Sequence, residues 1–337
     1  MRAAVLRGVT DLAVVERPDP VPGPGEVLVR VASVGVCGSD VHYYEEGRIG
    51  DFVVREPLIL GHEAAGVIVA LGPHCRLREV GQRVALEPGV PCGRCVECRS
   101  GRYNLCPDMK FFATPPVDGA FCELVTLPEE FAHPVPDTLD DDEAGLLEPL
   151  SVALWASQRG RVEAGCRVLV TGAGPVGLLV TQVARARGAG RVVATDVRAN
   201  RLTLARQLGA DDIVDVSERG LERVEERFDV VVECSGSEGA VSGAIRLIAP
   251  AGRLVLVGTG ADDVTLPMSV LQQREVEVTG TFRYANTYPL ARQLAASGTV
   301  SLRPLVTGHF GLARTEAALR SARGDPTSIK VVVRPQE

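Results

Sequence analysis

Cys37, His62 and Glu63 place a thiolate, an imidazole and a carboxylate in one stretch of chain, and these are three ligand types that zinc accepts. Three protein ligands leave the fourth position of a tetrahedral zinc open to water or substrate, the arrangement of a catalytic site. Taken alone, Cys37 reads more readily as a small apolar residue buried beside a valine-rich strand. Gly61 and Gly66 flank the His-Glu pair and let the backbone fold closely around it, and a second cysteine constellation strengthens the metal reading. Cys92, Cys95, Cys98 and Cys106 follow the spacing C-x2-C-x2-C-x7-C. Four such thiolates close a tetrahedral shell with no open position, which is a structural zinc site. An iron-sulfur cluster or a redox pair would use the same residue type, but nothing else in the chain asks for electron transfer. Arg94, Arg99 and Arg102 stand near enough in sequence to offset the negative charge of such a centre. Cys75, Cys122, Cys166 and Cys234 have no partner spacing and read as packing residues.

A third constellation carries no titratable group. Gly172-Ala173-Gly174-Pro175-Val176-Gly177 follows an apolar run, Arg167 to Thr171, and opens a segment in which Val176, Leu179, Val180, Val183 and Ala184 recur at helical spacing. A second apolar run, Arg191 to Thr195, ends in Asp196. Glycines between strand and helix let the backbone approach a pyrophosphate at the helix N-terminus, and the acidic residue accepts hydrogen bonds from the adenosine ribose. Asp196 would repel a 2′-phosphate, which favours NAD over NADP; Arg198 and Arg201 nearby argue the other way. Other nucleotide folds use similar turns, so a different ligand stays open at this point.

The elements that must hold these groups differ between the two parts of the chain. Leu12–Val15, Glu26–Val34, Val67–Leu71 and Gln82–Leu86 alternate in the manner of strands, separated by turns rich in Pro and Gly, so the metal-bearing residues lie in loops and strand ends of a small β domain. From Arg167 onward short apolar strands (212–216, 229–234 and 253–257 after the two above) alternate with helical segments, which predicts a parallel sheet covered on both faces. The chain of 337 residues sits at two domains. Its apolar fraction of 45% and charged fraction of 23% exclude disordered and collagen-like classes. A net charge of −7 without any basic run argues against nucleic acid or an anionic membrane as partner and suits a small uncharged substrate. No apolar stretch at the N-terminus has the length of a signal peptide, and the expectation is a cytoplasmic protein with its nine cysteines as thiols or metal ligands.

The phrases C-G-S-D-V-H-Y-Y-E-E-G-R-I-G (37–50), G-H-E-A-A-G (61–66), R-Y-N-L-C (102–106), F-F-A-T-P-P (111–116), E-P-L-S-V (148–152), G-A-G-P-V-G (172–177) and F-R-Y-A-N-T (282–287) together make the chain resemble the zinc-dependent medium-chain dehydrogenases, and among them the sorbitol (polyol) dehydrogenases. The resemblance implies an α/β protein with a Rossmann coenzyme domain, a doubly wound parallel sheet over 147–280. A β-rich GroES-like catalytic domain would be built from 1–146 and 281–337. It implies a catalytic zinc on Cys37, His62 and Glu63, with Glu148 beside it as a direct ligand or through a water. Ser39 and His42 would relay the alcohol proton to solvent, and Tyr43, Phe112, Glu148, Arg283 and Tyr284 would meet the substrate. Gly172, Gly174, Val176, Gly177, Asp196, Arg201, Val257, Gly258, Thr259, Thr281 and Phe282 would hold NAD. Some animal polyol dehydrogenases lack the four-cysteine lobe; here all four are present, so two zinc ions per chain are expected. The implied activity is oxidation of a secondary hydroxyl of a polyol such as sorbitol or xylitol. L-threonine or 2,3-butanediol dehydrogenase activity, or a non-catalytic NAD-binding regulator, would use the same scaffold, as a homotetramer or homodimer.

Overall fold

The run Ala3-Ala4-Val5-Leu6 has no alternation of apolar and polar residues, because both of its faces are covered. In the computed structural model, which describes residues 1–337, these four residues are buried in a strand, Arg2–Gly8. Sequence alternation predicts the first strand only at Leu12–Val15; that strand, Asp11–Glu16, is the second, and it pairs antiparallel with the first. Strands buried on both faces lose the period of two on which the prediction rests.

The chain divides into two compact units: Met1–Glu148 with Tyr288–Ala296 and Leu302–Glu337, and Pro149–Thr287 with Ser297–Ser301. The second unit therefore extends past the expected boundary at 280. Thr281 is bonded through its N–H and its hydroxyl to the Leu256 carbonyl, both at 3.0 Å, and Ser301 exchanges two hydrogen bonds with Gln182.

In the first unit a seven-stranded sheet is organised on Glu26–Gly35, whose Val27, Val29 and Val31 point to one face and are fully buried. This strand pairs antiparallel with Glu63–Leu71 and with Lys330–Arg334. Near its end Gly35 is opposite Glu63 on one side and Val332 on the other. That register brings a strand from the C-terminal tail beside the His-Glu pair.

A buried carboxylate ties the same sheet together. Asp142, at the start of the short helix Asp141–Gly145, accepts from the Ser33 hydroxyl at 2.7 Å and from Arg334 at 2.9 Å, and lies 2.7 Å from His309 Nε2. Burial works against its charge, but Arg334, Ser33 and His309 together outweigh burial and hold its carboxyl below the usual range. A carboxyl depressed in the folded state stabilises above its unfolded pKa, near 4, and that contribution is lost as pH falls through the folded value. Asp142→Asn should therefore lose roughly 2 kcal/mol at pH 7. The gap to wild type should narrow progressively as the pH is lowered below about 4, measured by urea denaturation at several pH values. A gap that does not change with pH would remove the electrostatic account.

The second unit holds a six-stranded sheet with strand order Asp212–Asp215, Arg191–Asp196, Arg167–Thr171, Phe228–Glu233, Ile248–Leu256, Glu277–Gly280. Every neighbouring pair is parallel. In chain order this is 3-2-1-4-5-6, the doubly wound arrangement in which ligands bind outside the carboxyl ends of the strands, where the order reverses. The fold class expected from sequence is thus the one observed.

Candidate active site

Cys37 is the N-cap of the helix Gly38–Glu46, so its side chain projects where the chain leaves the central strand. The helix carries its own brace. The Cys37 N–H donates to one oxygen of Asp40 at 2.9 Å, and the other oxygen accepts from the Gly61 N–H at 2.9 Å and lies 3.6 Å from His62 Nδ1. Asp40 is fully buried, and it joins the two loops that supply ligands while orienting the imidazole, a part that outer-shell carboxylates play at metal sites. Sequence reasoning passed over it; a carboxylate three residues after a candidate ligand, at the N3 position of a helix, was the available signal. Phe111 lies 5.7 Å from the His62 ring, centroid to centroid, and covers it.

Glu63 opens the strand that pairs with Gly35, and only glycine fits opposite: a Cβ at Gly35 would come within 2.1 Å of a Glu63 carboxylate oxygen. One donor atom each from Cys37, His62 and Glu63 lies within 4.8 Å of the others. A thiolate, an imidazole and a carboxylate converging in the interior fit zinc in both number and kind. Burial disfavours the His62 imidazolium, yet Asp40 and Cys37 more than compensate and hold its pKa well above the ordinary value. Metal uptake must displace that proton.

Lys330 is the second group that sequence reasoning did not place. Its ammonium is buried, donates to both oxygens of Glu63 at 2.7 Å and to the Val36 carbonyl at 2.8 Å. Burial favours the neutral amine, but Glu63 first, then Cys37 and Glu148, favour the cation and leave its pKa raised. An ionised carboxylate offers about four lone-pair sites, so the lysine occupies part of Glu63 and leaves the rest for a metal. The signal in the sequence was a lysine inside the apolar strand Ile329-Lys330-Val331-Val332-Val333.

The sulfurs of Cys92, Cys95, Cys98 and Cys106 also lie within 4.8 Å of one another. Backbone N–H groups of Arg94 and Cys95 lower the Cys92 thiol to about 6, which makes the thiolate, the form that binds metal, available near neutral pH. Of the three arginines expected to offset the centre's charge, Arg102 is taken up by Glu97 at 2.8 Å. Tyr103, inside the lobe, donates to buried Glu87 at 2.6 Å, and Glu87 in turn lies 2.8 Å from His133 Nε2, which anchors the lobe to the sheet.

At the carboxyl edge of the parallel sheet, Gly174 caps the helix Pro175–Ala186 and Pro175 fills its first turn, where a missing N–H costs nothing. A Cβ at Gly177 would stand 1.8 Å from the Gly172 carbonyl oxygen, so helix and strand meet there only through glycine. Asp196 ends the second strand and accepts from the Ala173 N–H at 2.7 Å and the Arg198 N–H at 2.8 Å, while Arg201 lies 4.0 Å away.

The chain matches the alcohol dehydrogenase GroES-like domain over residues 23–137 and the zinc-binding dehydrogenase domain over residues 175–297. It is 43% identical to a sorbitol dehydrogenase of Macaca fascicularis over 94% of this chain and 91% of that one. A sorbitol dehydrogenase of Bacillus subtilis (strain 168) is 41% identical over 99% and 97%. The crystal structure of L-idonate 5-dehydrogenase from Escherichia coli superposes with a TM-score of 0.93 at 31% identity, covering 99% of this chain and 97% of that one. The chain belongs to the zinc-dependent medium-chain dehydrogenases. As an enzyme of that family it uses zinc and a nicotinamide cofactor.

The remaining candidate residues of this dehydrogenase fall on both units. Ser39 and His42 lie on the Gly38–Glu46 helix and not in a loop, half-buried, with His42 Nδ1 3.5 Å from Glu46. Tyr43, on the same helix, is buried. Glu148 is buried in the first turn of the helix Leu147–Arg159 and is not among the three residues whose donor atoms converge. Phe112 packs against the core of the first unit, whereas its neighbour Phe111 is the ring on His62. In the second unit Tyr284 is buried, and Arg283 adopts φ 52° with its guanidinium 4.7 Å from the Phe282 ring. The N–H groups of Val257 and Gly258 donate to the Glu233 carbonyl at 2.9 and 3.0 Å.

Proposed function

We propose that this dehydrogenase oxidises a secondary hydroxyl of a sugar alcohol, sorbitol or xylitol foremost, to the ketose, with NAD as hydride acceptor. The observation that carries the reading is the convergence of half-buried Cys37 with buried His62 and Glu63 in a chain related over nearly its whole length to proteins named sorbitol dehydrogenase. Zinc held by those three residues supplies a Lewis acid that eases loss of the hydroxyl proton near neutral pH. Cys37, His62 and Glu63 are its ligands, with Asp40 orienting the imidazole and Glu148 acting from outside the direct ligand set. Ser39 and His42 move the released proton outward. Tyr43, Phe112, Glu148, Arg283 and Tyr284 meet the substrate; a hydrophobic-alcohol enzyme would not need the hydrogen-bonding groups of Tyr43, Glu148, Arg283 and Tyr284.

Gly172, Gly174, Val176 and Gly177 receive the pyrophosphate, and Val257, Gly258, Thr259, Thr281 and Phe282 the nicotinamide half. Asp196, with Arg201 beside it, takes the adenosine ribose and excludes a 2′-phosphate. Met1–Glu148 with Tyr288–Ala296 and Leu302–Glu337 acts as the catalytic domain, and Pro149–Thr287 with Ser297–Ser301 as the NAD domain. Cys92, Cys95, Cys98 and Cys106 hold a second, structural zinc. The enzyme works in the cytoplasm as a homotetramer or homodimer, on a small molecule and not on nucleic acid or membrane; no helix is long and apolar enough to cross a bilayer.

One preparation tests the reading. Elemental analysis should give two zinc ions per chain, by the ligand counts of an open and a closed site. NADH absorbance should grow with sorbitol or xylitol and NAD, and far less with NADP. Preferred turnover of L-threonine or 2,3-butanediol would move the assignment within the family, and no turnover with any alcohol would favour a binding protein that keeps the fold.

A further inference from the structure

Glu233 is fully buried, with no lysine, arginine or histidine nitrogen within ion-pair distance. A carboxylate in that setting is held by donors or not at all. Its Oε1 accepts from the Thr171 hydroxyl at 3.2 Å, the Ser235 N–H at 2.8 Å, the Ser235 hydroxyl and the Gly236 N–H at 3.2 Å, and its Oε2 accepts from the Gly236 N–H at 3.1 Å. The backbone carbonyl of the same residue accepts from Val257 and Gly258.

Glu233 thus sits where three adjacent strands, Arg167–Thr171, Phe228–Glu233 and Ile248–Leu256, give way to their turns. Those turns interlock with no room to spare. A Cβ at Gly172 would meet Ser235 at 2.9 Å, one at Gly258 would meet the Gly236 nitrogen at 2.2 Å, and one at Gly260 would meet the Gly236 carbonyl at 1.9 Å. Backbone packed this closely keeps its shape only if the turn at 235–236 is fixed, and the Glu233 carboxylate is what fixes it.

We infer that Glu233 is a positioning residue for the dinucleotide: by holding the Ser235–Gly236 turn it sets the relative placement of the Gly172 and Val257–Gly258 backbones that receive the cofactor. The inference rests on the NAD site proposed above. Glu233→Gln keeps one accepting oxygen, which fills the Oε1 place, and puts its NH2 group where Oε2 accepts, so the Gly236 N–H faces a donor and the turn is loosened at Gly236.

The test is NADH binding by fluorescence titration on the zinc-loaded enzyme, with KM for NAD and kcat. Glu233→Gln should weaken NADH and raise KM for NAD about tenfold, the equivalent of one hydrogen bond to a charged group. The value of kcat at saturating NAD and the KM for polyol should stay within about twofold. Ser235→Ala, which leaves the carboxylate in place, should weaken NADH about threefold and keeps the inference testable if the first variant does not fold. A role in folding alone would lower Tm and leave NADH affinity unchanged, and that result in either variant overturns the inference. Wild-type protein that binds neither NADH nor NADPH would overturn the cofactor reading and this inference with it.

Discussion

Lys330→Met leaves the Glu63 carboxylate in the protein interior without its cation, and the expected result is a loss of roughly 3–5 kcal/mol of stability, the cost of breaking a buried pair by removing one partner. Lys330 and Glu63 are 4% and 1% exposed, so solvent cannot take over the charge. Cys37 and Glu148 also favour the charged form of Lys330. Without that lysine, the Glu63 carboxylate that should ligate zinc is free to turn. The variant should fall below one catalytic zinc per chain on dialysis and lose about a hundredfold in turnover, the range set by loss of outer-shell partners. Urea denaturation, elemental analysis and steady-state rates check the three effects separately. A double variant, Lys330→Met with Glu63→Gln, should recover most of the stability, because removing both partners relieves the unpaired charge. It should not recover activity, since a zinc ligand is gone. Full stability and full zinc content in the single variant would show that Glu63 has another partner.

Cys37→Ser should have the opposite profile: turnover lost by about a thousandfold or more, with the fold retained. The activity estimate follows from the roughly 9-unit drop in pKa that zinc can impose on a bound water, an advantage that vanishes if the metal cannot be held. Retention of the fold follows from position. Residue 37 caps a helix, and serine is among the preferred residues there. The Cys37 N–H that donates to Asp40 belongs to the backbone and survives the change. Unfolding free energy should therefore stay within about 1 kcal/mol of wild type, and NADH should bind as before, because the glycine turn and Asp196 belong to the other unit. Undiminished turnover by a variant with one zinc per chain would dismiss the catalytic-metal assignment.

The two variants also mark where sequence reading succeeds and where it stops. Cys37, the His62-Glu63 pair, the four lobe cysteines and the glycine turn before Pro175 were all legible as residue types at short spacings, because a metal shell or a phosphate turn is built from a few residues close in the chain. The same holds for most strands, whose side-chain period is local; Arg2–Gly8 escaped notice because a strand covered on both faces has no alternation to read. Lys330 could not be assigned to Glu63 across 267 residues, nor His309 and Arg334 to Asp142. Those pairings depend on which strands become neighbours and in what register. Buried charges must find partners wherever the fold brings one near, so the chemistry of each ligand was written in local sequence, while the groups that hold the ligands in place were decided by the tertiary arrangement of the strands.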